Sequence, residues 1–98
     1  MSAYVIANVD VRDAVAYEAY RCRTRETIEE YGGRFIVRGG AVDVLEGDPK
    51  VNRLVVIQFA DMAAARRWYE SPDYQAIIGL RASASDGALF IVDGVADD

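Results

Sequence analysis

The spacing of apolar residues switches along this chain between the strand period of two and the helical period of 3.6, and the order of the switches leaves few folds open. Ala3 to Val9 is a short apolar run that predicts a strand. Asp13 can then cap a helix running to about Tyr31, where Gly32 and Gly33 supply a left-handed stop. Tyr17, Tyr20, Thr24, Ile28 and Tyr31 form one stripe of that helix. Arg34 to Arg38 reads as a second strand. Gly39 and Gly40 predict a bulge or bend, after which Ala41 to Leu45 resumes strand-like alternation. Glu46 to Lys50 is a turn, and Arg53 to Phe59 is the third strand. Asp61 caps a second helix, which Ser71 and Pro72 restart and which continues to about Ser83. Asp86 and Gly87 are expected to turn into a last strand, Ala88 to Val92.

That order is β-α-β-β-α-β in a single domain over residues 1–98, with residues 95–98 expected to fray. The fold class is α+β. Right-handed crossovers give a ferredoxin-like protomer, a four-stranded antiparallel sheet with two helices on one face. Counting by twos along each strand assigns Val5, Ala7, Val9, Phe35, Val37, Val55, Ile57, Phe59, Ala88, Phe90 and Val92 to the helix-covered core. The other face would carry Arg34, Arg38, Gln58 and Asp93 around an apolar centre of Ile6, Ile36, Val56 and Ile91. A solvent-facing sheet should be polar there. The pattern therefore predicts that a second copy covers this face in a homodimer.

Charge and missing residue types remove whole classes of function. With 16 acidic against 11 basic residues the net charge is -5, which argues against nucleic acid and an anionic membrane surface as partners. No stretch is apolar for the length of a bilayer span, and the first residues lack the pattern of a signal peptide. Cys22 is the only cysteine, which suits a reducing compartment, so a cytoplasmic location is expected. The chain has no histidine. That removes histidine-based nucleophile pairs, the usual zinc sites and a histidine-ligated haem, and neither a metal site nor a cofactor is expected.

The segment YGGRFIVRGG, residues 31–40, raises the question of a phosphate cradle. It matches neither GxGxxG nor the P-loop, and no helix follows Gly40, so the glycines read as backbone punctuation. Arg38 has two readings, an ion pair across the dimer or a bidentate clamp on a small carboxylate. Tyr17, Tyr20, Tyr69 and Tyr74, with Trp68, are either core or the wall of a small-molecule cleft. Arg81 is a solvated charge or a second clamp.

The series VDVRDAVAYEAY, YGGRFIVRGGAVDVLEG, VVIQFADMAAARRWYESPDYQAI and LFIVDG resembles the family called domain of unknown function 1330, within the dimeric α+β barrel superfamily. The resemblance spans nearly the whole chain and implies a homodimeric barrel of ferredoxin-like protomers. It implies no activity; related families include cofactor-independent monooxygenases, muconolactone isomerase and haem enzymes. The motif positions Tyr17, Tyr20, Arg38, Glu46, Tyr69, Tyr74 and Arg81 are where it would place a pocket. Two functions stay open: a metal-free binder or enzyme for a small organic acid or aromatic metabolite, and a non-catalytic dimeric sensor or assembly module.

Overall fold

A computed structural model describes residues 2–95; residues 96–98 of the tail expected to fray lie outside the described residues. The elements are β1 (Ala3–Val11), α1 (Ala14–Glu30), β2 (Arg34–Arg38), β3 (Arg53–Phe59), α2 (Met62–Glu70), α3 (Pro72–Gln75), α4 (Ile78–Ala84) and β4 (Ser85–Asp93). The strands form one antiparallel sheet in the order β2-β3-β1-β4, the ferredoxin-like arrangement. The helices pack on one face. Trp68, Tyr74, Phe59, Ile28, Ile77 and Val5 are the largest fully buried side chains between the layers.

Local chemistry starts and stops the helices where the sequence indicates. Asp13 accepts from Ala16 N at 3.1 Å and Asp61 from Ala64 N at 2.7 Å. Ser71 accepts from Tyr74 N at 3.1 Å, with Pro72 in the first helical position. At the end of α1, Gly32 takes a φ of 79°, and the Gly33 N–H returns to the Ile28 carbonyl at 2.9 Å. This is a Schellman stop. The expected single helix after Ser71 is instead two short pieces, α3 and α4, and Tyr74 and Ile77, three residues apart, are both buried in the core.

Two strand registers differ from the count by twos. The expected turn at Asp86–Gly87 does not form, because β4 leaves α4 directly at Ser85 and pairs with β1 from Val11 onward. Ile91 lies opposite Val5 and Leu89 opposite Ala7, so Leu89 and Ile91 face the core, while Phe90 and Val92 lie on the opposite face. A shift of one residue exchanges every side chain between faces. In β2 the irregularity falls between Phe35 and Val37 rather than at Gly39 and Gly40. Phe35 pairs with Ile57, but Val37 pairs with Val56 and Arg38 with Val55. Val37 thus moves to the outer face and Arg38 to the helix side.

Residues 39–52 carry no strand, so the expected alternation over Ala41 to Leu45 does not become one. The arm follows β2, an edge strand, and leads into β3, which is flanked by β1 and β2. Asn8 holds its returning base, donating to the Lys50 carbonyl at 2.8 Å and accepting from Asn52 N at 3.1 Å. Val42, Val44 and Leu45 are exposed on the arm, and Val37, Phe90 and Val92 are exposed on the outer sheet face beside half-buried Ile6 and Val56. The slab measures 42 × 39 × 16 Å and has one apolar sheet face without a covering layer.

Gly87 of β4 pairs with Val9 of β1. Its φ is 152°, and a Cβ there would strike the Asn8 carbonyl oxygen. Gly87→Ala is expected to lower unfolding free energy by about 2 kcal/mol or more. Gly79, in open space on α4, is the matched control. Gly79→Ala is expected to stabilise by about 0.5–1 kcal/mol. Urea denaturation of both variants checks the pair; equal effects would contradict the assigned β1–β4 register.

Candidate functional site

The two register changes assemble a cleft at one end of the sheet, beneath α1 and α4. Arg38 enters it from the end of β2, Arg53 from the start of β3 and Arg81 from α4, with Tyr17 and Tyr20 of α1 forming a wall. Phe35, Val55, Trp68 and Leu89 supply its apolar floor. Free space inside is about 30 Å³, room for about two waters with the arginine side chains as placed.

The arginines are held largely by flat contacts. The Arg38 guanidinium lies 4.4 Å from the centre of the Phe35 ring, and that of Arg53 lies 5.8 Å from the centre of Tyr17. Arg53 Nε and Arg81 Nε are buried with no hydrogen-bond partner. Among the described residues no carboxylate forms an ion pair with Arg38, Arg53 or Arg81. Arg21, also at the cleft, is already bound to Glu18 at 2.9 Å. Burial, then the like charges of Arg21, Arg25 and Arg53, hold the Arg38 guanidinium below its usual value, while Glu18 opposes them. Gly39, at a φ of 69°, gives the Arg53 guanidinium its space; a Cβ there would collide with it, whereas Gly40 faces open space.

Behind the wall stands a hydrogen-bonded aromatic layer. The Tyr20 and Tyr74 hydroxyls share a hydrogen bond of 2.9 Å. Trp68 Nε1 donates to Thr27 Oγ1 at 3.0 Å, and its ring lies 4.2 Å from that of Tyr74. Thr24 and Thr27 donate their hydroxyls to the carbonyls of Tyr20 and Thr24, both at 2.7 Å. Burial first, then the neighbouring Tyr74 hydroxyl, pushes the Tyr20 phenol far above its ordinary value; burial likewise raises Tyr74.

Of the residues singled out in the sequence, Tyr17, Tyr20, Arg38 and Arg81 meet at the cleft. Arg38 arrives there through the β2 bulge, against the parity that placed it on the outer face. Tyr74 stands one layer behind and reaches the cleft through Tyr20. Tyr69 does not join them; it lines a separate groove with Met62, Arg66 and Phe90 near β4. Glu46 is exposed on the arm. Arg53 was not singled out, although its position two residues before Val55 put a charge in core parity, which is the signal for it. Among the described residues no group of three or more histidine, cysteine, aspartate or glutamate side chains could hold a metal, and no helix is long and apolar enough to cross a membrane.

Residues 2–95 match the family model described as domain of unknown function (DUF1330), and the chain belongs to that family. No curated protein sequence matches it. Its fold is shared with RPA0582 of Rhodopseudomonas palustris, a protein of unknown function, at 20% identity and a TM-score of 0.78, over 98% of this chain and 84% of that one. SnoaB of Streptomyces nogalater, a cofactor-independent oxygenase, aligns at 18% identity and a TM-score of 0.66, over 98% of this chain and 95% of that one. A dimeric ferredoxin-like protein of unknown function from Jannaschia sp. CCS1 aligns at 18% identity and 0.64, over 98% of this chain and all (100%) of that one. At these identities the likeness establishes the fold and no chemistry.

The tyrosine pair sets a pH dependence. Both phenols are raised in the folded chain, so the folded state resists ionisation that the unfolded chain undergoes near pH ~10. Their contribution is complete below that pH and is lost as pH rises further, at up to about 1.4 kcal/mol per pH unit per phenol. Urea midpoints are expected to fall steeply between pH 9 and 11 (roughly one unit either side of the free phenol). Tyr20→Phe should make that fall shallower; an unchanged slope would show that the pair does not control alkaline unfolding.

Proposed function

We propose that the protein binds a small organic anion in the cleft formed by Arg38, Arg53, Arg81, Tyr17 and Tyr20, and does so as a homodimer. One observation carries the reading: three guanidiniums share a cleft without an ion-pair partner among the described residues. Gathering like charges in partial burial is unfavourable unless a counter-charge joins them. In a chain of net charge -5, carboxylates were plentiful, yet none was placed there. The apolar floor suits a ligand with a carbon body, and no metal is needed for a guanidinium fork to hold a carboxylate. A purely structural dimer module would be served better by an apolar filling at this place.

Turnover of the bound anion is a second reading. It is favoured by the Tyr20 hydroxyl in the cleft wall, which can offer a hydrogen bond to a bound molecule. The oxygenase activity of SnoaB belongs to a protein of the same fold and lends this reading an analogy only. The homodimer reading rests on the uncovered face of Ile6, Val37, Val56, Phe90 and Val92, and on the apolar arm beside it. A cytoplasmic location accompanies both readings.

Thermal unfolding with added benzoate tests the binding. Ligand at about 100 times its Kd should add about 2.7 kcal/mol of stability to the wild type. Arg53→Met and Arg38→Met should lose that response, and without ligand they should be as stable as wild type or more so, by on the order of 1 kcal/mol. Variants that still respond to benzoate would place the anion elsewhere.

Light scattering tests the assembly. The wild type should run at twice the chain mass at micromolar concentration, and Phe90→Glu should run as a folded monomer by circular dichroism. A wild-type monomer would remove the dimer from this reading.

A further inference from the structure

We infer that the cleft selects a compact dianion, the shared chemistry of a phosphate monoester and a short dicarboxylate, over a monoanion of the same shape. The inference rests on the anion-binding reading above and goes beyond it by fixing the charge of the ligand's head.

The donors set the requirement. Arg38, Arg53 and Arg81 come from β2, β3 and α4, three separate elements, so their guanidiniums approach the cleft from different directions. Each carries five N–H donors in a rigid fork, and none can shed its proton. A single carboxylate has two oxygens, and one bidentate fork engages both. It would leave donors of the other arginines without an acceptor. The Nε atoms of Arg53 and Arg81 are buried and lack a hydrogen-bond partner. Three terminal phosphate oxygens, or two carboxylates a few bonds apart, give each guanidinium an oxygen of its own.

Charge leads to the same conclusion. Arg21 is compensated by Glu18 at 2.9 Å, which leaves three positive charges in the cleft without a paired carboxylate among the described residues. A monoanion would neutralise a minor part of them, and a dianion most. Arg38 feels the repulsion directly, since Arg21, Arg25 and Arg53 all act against its charge after burial does. Free space of about 30 Å³ suits a compact head, and the apolar floor of Phe35 and Leu89 is where a carbon body would rest.

Isothermal titration of the intact protein with phenyl phosphate and phenyl sulfate tests this, since the two probes share a shape and differ by one charge when the phosphate is fully ionised. At pH 8, above the second phosphate pKa of about 6, phenyl phosphate should bind roughly ten-fold or more tighter. At pH 5, where the monoester is largely a monoanion, the ratio should fall toward one. The protein's own charges around the cleft stay fixed across this range. Arg21, Arg25, Arg38, Arg53 and Arg81 remain protonated, Arg21 holds Glu18 below the usual carboxylate range, and Tyr20 and Tyr74 are raised. Succinate against succinamate gives the same comparison for dicarboxylates and separates the two sources. Arg53→Met should bring the phosphate-to-sulfate ratio near one.

Equal affinity of each pair at pH 8 would overturn the dianion inference and leave the anion cleft standing. No binding of any of the four probes would overturn both. Tight phosphate binding unaffected by Arg53→Met and Arg38→Met would place the dianion outside this cleft and would also overturn the inference.

Discussion

Between Phe35 and Val37 the chain carries one residue more than its partner strand, and beyond that point the faces of β2 are exchanged. Arg38 comes to lie beside Val55 on the helix side, within reach of Arg53 and Arg81, while Val37 joins Val56 on the outside. Without the extra residue Arg38 would stand on the outer face and leave a two-arginine cleft. The irregularity therefore has two effects at once: it adds a charge to the cleft and removes one from the apolar outer surface. Bulges re-aim side chains in this way, at the cost of one unpaired position in the ladder. Here that position is at a sheet edge, where the lost pairing is least disruptive.

The cleft has a stiff side and an adjustable side. Tyr20, Tyr74, Trp68, Thr24 and Thr27 are buried and tied by hydrogen bonds of 2.7–3.0 Å, so the wall beneath α1 is fixed by packing. Buried polar groups that are all paired rigidify a core. Arg38 and Arg53 instead rest on ring faces, and Arg53 and Arg81 each keep an unpartnered Nε. Long guanidinium side chains can turn toward an entering anion while the aromatic layer behind them stays still.

Most of the fold could be read from the sequence because its signals are local. Asp13, Asp61 and Ser71 cap helices, and Gly32 with Gly33 stops one, through contacts within a few residues. What could not be read was long-range register. The parity of β4 depends on Val11 meeting Ser85, a pairing across 74 positions that no local pattern encodes. Ala88, Phe90 and Val92 were assigned inward for that reason, and Leu89 with Ile91 took their place. Arg38 was misplaced by an irregularity that lacks a glycine to mark it, since the glycines that drew attention lie just beyond. Arg53 was legible, as a charge at the head of a core-facing series, and shows that a polar residue in core parity carries as much information as a glycine motif.

Charge at long range and charge in the cleft act in opposite directions, and their ranges decide the balance. The net charge of -5 repels an approaching anion, but at physiological ionic strength that repulsion is largely screened beyond about 8 Å. The cleft acts within contact distance, where apolar surfaces such as Phe35, Val55 and Leu89 reduce the local dielectric. An acidic chain with a basic cleft therefore gains nothing from steering and depends on contact energy for any affinity it has. It also gains discrimination, because the same acidic exterior opposes nonspecific adhesion to the polyanions that a basic surface would attract. On the proposed reading, Arg38, Arg53 and Arg81 hold the anion at one concave site while the chain as a whole stays acidic.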